Sequence, residues 1–335
     1  MTAAVLADIH GNYVALNACL KEAYSRHITT FIFLGDYIGE LPYPERTMEI
    51  LYELQSNYQC YFIRGNKENY WLDCQNTVNP SWKAGNSTTG TFLYEYRHLK
   101  QKDLDFFQSL NPSEEIILDG LPPITACHGS PYRINEKMLP NSENTYKIMD
   151  SVQTPLILCA HSHVQSRIEY EGKCTINPGS VGMPLYHGDR AQFLILRGEN
   201  LRKNSVQERS LCENNPYKDN PYENNLYENN PYKNNSYKNN PYKNNPYKNE
   251  EIWSEEFISL NYDTDKVIRE IYEEGLDKYA PYWSMITEYS LRGNIISHGR
   301  VLSRAMEICR EETGDCIWPY IPEEYWKKAV EEFIK

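Results

Sequence analysis

Short apolar runs alternate with stretches whose apolar residues recur every three or four positions, and this alternation organises the first two hundred residues. Ala3 to Leu6 is an unbroken apolar run and predicts a buried strand. Val14, Leu16, Ala18, Cys19 and Leu20 then suit an amphipathic helix. Phe31 to Leu34 reads as a second strand, Met48, Ile50, Leu51 and Leu54 as a helix, and Cys60 to Ile63 as a third strand. Strand–helix alternation implies parallel pairing in a layered α/β fold. Residues 69–119 are more helical and polar, with Trp71, Trp82, Phe92, Leu93, Phe106 and Phe107 as packing points. Further strands are predicted at Leu121 to Cys127, Pro155 to Cys159, Cys174 to Ile176, Ala191 to Leu196 and Trp253 to Leu260. Residues 132–153 read as a loop and a helix placed to cover a site.

Two segments depart from this pattern. From Asn214 to Lys248 a five-residue unit close to Asn-Asn-Pro-Tyr-Lys repeats seven times. A period of five fits neither helix nor strand, and Pro with paired Asn favours turns. The tract has too little apolar surface to offset its ordering entropy, so it is predicted to be disordered. Residues 264–335 are helical in character. Val267, Ile268 and Ile271 share one face, and Val301, Leu302, Ala305, Met306 and Cys309 share another, with Ser297 placed to cap the second helix. Tyr279, Tyr282, Trp283, Trp318, Tyr320, Tyr325 and Trp326 are expected to pack this tail. The expected organisation is one domain over 1–263, interrupted by an insertion at about 204–250, and a helical extension over 264–335 packed on it.

Charge and composition narrow the function classes. The net charge is −12 and the pI about 5.3. That opposes general binding to nucleic acid or to an anionic membrane. No apolar run approaches a membrane span, and the N-terminal run is too short for a signal peptide and is broken by Asp8. A cytoplasmic protein is expected. The nine cysteines are irregularly spaced and read as small hydrophobes rather than a disulfide framework.

The chemistry lies in the polar residues that end the strands. Asp8 and His10 are two apart, so on an extended backbone both point to one side. Asp36 follows the second strand, Asn66 the third, and His128, His161 and His163 follow later ones. In open α/β sheets function sits past the carboxyl ends of strands. Oxygen and imidazole donors from five segments are too many for one metal with an open position, but they suit two ions bridged by one carboxylate, Asp36. Two ions close together bind a phosphoryl oxygen, activate a bridging hydroxide and stabilise the transition state. Asn12 sits where a helix N-terminus meets an anion, and is a candidate substrate contact. His27, His98, His187 and His298 lack such context and are read as surface or packing residues.

Asp8-Ile9-His10-Gly11-Asn12, Gly35-Asp36-Tyr37, Gly65-Asn66-Lys67-Glu68, His128-Gly129-Ser130 and His161-Ser162-His163, in this order, resemble the calcineurin-like metallophosphoesterases. With the turn Asn177-Pro178-Gly179-Ser180, the chain looks most similar to their small bacterial and archaeal phosphodiesterase branch. The resemblance implies a layered α/β sandwich of two mixed sheets flanked by helices, with a dinuclear centre. It places Asp8, His10, Asp36 and His163 on one ion, and Asp36, Asn66, His128 and His161 on the other. Mn²⁺ is the first expectation, with Fe or Zn²⁺ as alternatives. The implied reaction is hydrolysis of a small-molecule phosphoester, phosphodiesters first. Alternatives are a phosphomonoesterase, a protein or nucleotide phosphatase, or a non-catalytic scaffold of the same fold. Many relatives carry a His that aids the leaving group where this chain has Lys67. With an unperturbed pKa of about 10.4, Lys67 is a weak general acid. It is a candidate for that catalytic role, for a phosphate contact by point charge, or for a plain turn lysine.

Overall fold

The computed structural model describes residues 1–75, 82–198 and 253–334. The pentapeptide tract at 214–248, with the disorder expected of it, lies outside these residues. Along the chain run β1 (Thr2–Leu6), α1 (Tyr13–Ser25), β2 (Thr30–Phe33), α2 (Pro44–Asn57), β3 (Gln59–Phe62) and α3 (Asn66–Gln75). Then come α4 (Gly90–His98), α5 (Gln101–Ser109), β4 (Ser113–Ile116), β5 (Ile124–Cys127), α6 (Glu143–Ser151) and β6 (Leu156–Leu158). The remainder is β7 (Gln165–Tyr170), β8 (Lys173–Pro178), β9 (Arg190–Gly198), β10 (Trp253–Asn261), α7 (Thr264–Glu273), α8 (Leu276–Tyr279), α9 (Pro281–Leu291), α10 (His298–Thr313) and α11 (Glu323–Phe333).

The strands form two mixed five-stranded sheets, ordered β10-β9-β1-β2-β3 and β4-β5-β6-β8-β7. β1, β2 and β3 pair in parallel, as do β5, β6 and β8. The pairs made by β9, β10, β4 and β7 are antiparallel. Ala3 and Val5 face the space between the sheets, where they meet Ile32, Leu34, Leu156 and Leu158. Ala4 and Leu6 face outward under α1, α2 and α3, against Leu16, Leu20, Leu51 and Trp71. A strand buried on both faces needs apolar residues throughout, which is why these segments appear as unbroken runs. On the far side, Ile148 and Met149 of α6 pack on Ile157, Cys159 and Ile168. Helix α6 therefore flanks the second sheet.

Two strands escape the apolar pattern. β4 carries Glu114 and Glu115, and β7 carries Gln165 and Glu169, because both lie at sheet edges where polar residues discourage further pairing. The tail packs through Val267, Ile268 and Ile271, which join Leu41, Tyr94 and Met183 in one cluster. The Ser297 hydroxyl accepts from the Arg300 amide at 3.2 Å, the expected cap. Trp326 is buried and donates to Thr88 Oγ1 at 3.0 Å, and Glu323 accepts from the Ser87 amide and hydroxyl at 2.6 and 2.7 Å. Trp318 and Tyr320 correct the expectation, being 44% and 66% exposed in the turn between α10 and α11. Among the described residues no helix is long and apolar enough to cross a membrane.

Gly198 of β9 sits directly opposite Trp253 of β10. A short turn therefore suffices to join them, and removing residues 201–250 is expected to stabilise the fold by roughly 2 kcal/mol through reduced loop-closure entropy. Denaturant melts of the shortened and full chains test this. A loss of cooperative unfolding in the shortened chain would refute it.

Candidate metal centre

The site forms where the chain leaves β1, β2 and β3 on one sheet and β5 and β6 on the other. Beyond β1 the backbone is not extended. Asp8, His10, Asp36, His161 and His163 all have positive φ, between 52° and 64°. Asp8 and His10 therefore meet through a left-handed turn rather than strand alternation, a conformation costly for non-glycine residues. Cross-ties hold it. The amides of Asp8, His10 and Gly11 donate to the carbonyls of Gly35, Asp36 and Tyr37 at 3.1, 3.0 and 2.9 Å. Ser180 Oγ and the Gly182 amide donate to the Asp8 carbonyl at 2.7 and 3.0 Å. Asn177 Nδ2 donates to Ala160 O at 2.8 Å and to Ser162 Oγ at 3.0 Å, bracing the His161 loop.

All seven expected ligand residues converge. Asp8, His10 and His163 bring ligand atoms within 4.8 Å of one another, and so do Asp36, His128 and His161. Asn66 Oδ1 is 2.9 Å from His128 Nε2. Asp36 spans the two groups, with Oδ2 3.8 Å from His10 Nε2 and Oδ1 3.5 Å from His128 Nε2.

The imidazole tautomers follow from their outer partners. Nδ1 of His128 contacts the Leu34 carbonyl at 2.7 Å, and Nδ1 of His163 contacts the Met183 carbonyl at 2.7 Å. A carbonyl only accepts, so each Nδ1 carries the hydrogen. His10 Nδ1 faces the Glu40 carboxylate at 2.5 Å, which likewise calls for a donor. Nε2 of His128 and Nε2 of His163 are each left with a lone pair. Nevertheless His10 Nε2 and His163 Nε2 face each other at 3.1 Å, and His128 Nε2 faces the Asn66 oxygen. Acceptors facing acceptors, with a buried, unpartnered Asp8 Oδ1 beside them, fit a donor set built for cations.

The electrostatics agree. Burial and then Asp36 push the Asp8 carboxyl well above its ordinary value, a crowding that bound cations relieve. Burial pushes His161 down to about 3 and lowers His128 and His163, so all three are neutral near pH 7, as metal ligands must be.

Lys67 and Asn12 have different settings from those expected. The Lys67 ammonium is paired with Glu40 and lies 5.4 Å above the Phe92 ring. Burial pulls its pKa down, but Glu40 and Asp36 outweigh this and hold it above the ordinary value. That keeps it charged at neutral pH and makes it a weak proton donor. Asn12 is 1% exposed. Its Oδ1 caps α1 by accepting from the Ala15 amide at 3.0 Å, and its Nδ2 donates to Gly182 O and Tyr262 Oη, both at 3.1 Å.

Two carboxylates escaped the sequence reading. Glu40 links His10 Nδ1 to Lys67, and nothing in an irregular loop marks it beforehand. Glu68 is fully buried and accepts from the amides of Asp36, Tyr37 and Gly65 at 3.1, 2.9 and 2.7 Å, tying the loops after β2 and β3 together. Its place directly after Lys67 in the Gly-Asn-Lys-Glu run was the available signal. Gly65 is required there, because a Cβ would come within 2.2 Å of the Asp36 amide nitrogen and of Asp36 Oδ1. His298 stacks on Trp283 at 4.3 Å and contacts Thr287 Oγ1 at 2.9 Å, a packing role as expected.

A two-sheet α/β sandwich with Asp and His groups gathered beyond its parallel strands has the architecture of a metallophosphoesterase. The model of the calcineurin-like phosphoesterase superfamily domain matches residues 1–200, more than half of the chain, and the chain belongs to that superfamily, which binds divalent metals. It is 28% identical over 222 residues to the uncharacterized protein MJ0912 of Methanocaldococcus jannaschii, covering 61% of this chain and 86% of that protein. The fold is similar to the hypothetical protein PH1004 of Pyrococcus horikoshii, with a TM-score of 0.59, 18% identity, and 84% and 97% of the two chains covered. It is also similar to a metallophosphoesterase of Sphaerobacter thermophilus, with a TM-score of 0.55, 19% identity, and 84% and 98% covered.

Proposed function

We propose that this chain is a phosphodiesterase with a dinuclear metal centre. Asp8, His10, Asp36 and His163 hold one ion, and Asp36, Asn66, His128 and His161 the other. The observation that carries this reading is the approach of His10 Nε2 to His163 Nε2 at 3.1 Å beside Asp36, whose two oxygens address different ligand groups. Two divalent ions held there, Mn²⁺ first, supply an activated water and neutralise charge on the phosphoryl oxygens. The chain's own residues orient the ligands. Glu40, Leu34 O and Met183 O fix the three imidazole rings, and Glu68 fixes the loop that carries Asp36. Lys67, held charged on Glu40, is a weak proton donor, which favours esters whose leaving groups need little protonation.

Elemental analysis of loaded protein is expected to find two equivalents per chain. Because Asp8 holds its proton more tightly than an ordinary carboxyl, uptake at mildly acidic pH releases protons and tightens as pH rises, by roughly tenfold per pH unit for each proton released. Calorimetry in two buffers of different ionisation enthalpy reads the proton count. Saturation at one equivalent refutes the dinuclear reading.

A further inference from the structure

The cavity beside the metal ligands has a chemistry of its own. Its volume is about 230 Å³, and its lining includes Arg64, Asn69, Ser130, Tyr132 and Arg133. Chain connectivity ties it to the centre. Arg64 is two residues before Asn66, Asn69 stands three residues after it on α3, and Ser130 is two residues after His128. By connectivity it lies on the side of the centre where Asn66 and His128 stand.

The charge there is unusual for this chain. The net charge is −12, yet two arginines are among the residues lining one small cavity. Among the described residues neither side chain has a carboxylate within ion-pair distance. Arg64 Nε is buried and has no hydrogen-bond partner. A buried, unsatisfied donor on a charged group is costly, and a ligand that accepts from it removes that cost. Glu136, held ionised by Ser130 Oγ, Asn144 Nδ2 and then Arg133, offsets part of the Arg133 charge but is not paired with Arg64. Tyr132 is 61% exposed, and its hydroxyl is anchored to Ser151 Oγ at 2.8 Å, so a flat apolar face stands at the rim.

We propose that this cavity is a subsite for a second phosphate group of the substrate, bound by the guanidiniums of Arg64 and Arg133 while the scissile phosphoryl group lies at the metal centre. The planar fork of arginine matches a tetrahedral phosphate with paired donors. The size agrees, since pockets that hold whole ligands span about 300–1,000 Å³. This cavity takes one charged group and leaves the rest of the molecule over the metals and Tyr132. The substrate class is a phosphodiester that also carries a terminal phosphate, with a planar group available to stack. The inference rests on the phosphodiesterase reading above.

The test uses the full chain and a matched pair of diesters, the dinucleoside monophosphate ApA and its 5′-phosphorylated form pApA. The metal-loaded protein is expected to prefer pApA by roughly ten- to a hundredfold in kcat/KM, the gain from one or two charge-assisted hydrogen bonds. Arg133→Ala should cut that preference by about tenfold, and Arg133→Lys, which keeps the charge without the fork, by less. Equal rates on the two diesters, or an unchanged preference in Arg133→Ala, overturn the proposal. A second measurement separates this from failure of the phosphodiesterase reading. Metal-free protein is titrated calorimetrically with pyrophosphate, which needs no turnover. Binding that is lost in Arg133→Ala supports the subsite even if neither diester is cleaved. Absent binding, or equal binding in the variant, refutes it. Arg133 is exposed, so the variant is expected to fold, and its melting curve serves as the control.

Discussion

Asp36→Asn lowers turnover by roughly 10⁴-fold or more, the scale set by groups that act as one unit with their neighbours. The two oxygens of Asp36 address different ligand groups, and Oδ1 also accepts from the Lys67 amide at 2.8 Å. The amide keeps the size, but it turns one acceptor into a donor and removes the charge that lets two cations sit close together. Metal content of the variant should fall with its activity. Lys67→Ala is the contrast. Its loss frees Glu40 and loosens His10, so a decrease of roughly ten- to a hundredfold is expected, the usual size for an outer-shell partner. The factor should be the same on aryl and alkyl diesters if Lys67 acts through Glu40 alone. A much larger loss on the alkyl ester would restore it as the acid. Near-normal turnover of Asp36→Asn would remove its bridging role.

A chain truncated after Asp263 does not fold. Val267, Ile268, Ile271, Leu276 and Leu291 share a cluster with Leu41, Tyr94 and Met183, and Glu270 accepts from the Tyr13 hydroxyl at 2.5 Å. Burying each large aliphatic side chain is worth about 1.5–3 kcal/mol. Losing five of them approaches the entire 5–15 kcal/mol that typically holds a domain folded. The expected outcome is insoluble or molten protein, read by soluble yield and by the loss of a cooperative thermal transition. A truncated chain melting near the full-length temperature would show that the helices are an appendage with little energetic weight.

The site was legible where chemistry follows directly on an apolar run. Asp8, Asp36, His128 and His161 each come within a few residues of a doubly buried strand, so strand ends and candidate ligand positions were marked together. What the chain does between such points was not legible. Glu40 reaches His10 along an irregular loop, and no periodicity records that path. The pairing of Lys67 with Glu40 is a tertiary contact across the loops after β2 and β3, invisible to a motif that fixes only local spacing. Asn12 looked like an anion contact because it stands at a helix start, yet Gly182 and Tyr262, distant in sequence, claim its amide. The edge strands β4 and β7 were missed for the opposite reason, since their polar residues suit an edge and erase the signal.

The left-handed backbone at Asp8, His10, Asp36, His161 and His163 bears on how ions arrive. The dihedral angles the ligands need are already set by the cross-ties from Gly35, Asp36, Tyr37, Ser180 and Gly182. Ion capture then carries little ordering entropy, and one ion can replace another without the loops refolding. Amide hydrogens over 8–12, 35–40 and 160–163 should exchange with solvent at similar rates in loaded and metal-free protein. Strong protection that appears only with metal would mean that the ions shape the loops. Similar rates would mark a socket formed during folding, into which ions enter and leave as solutes.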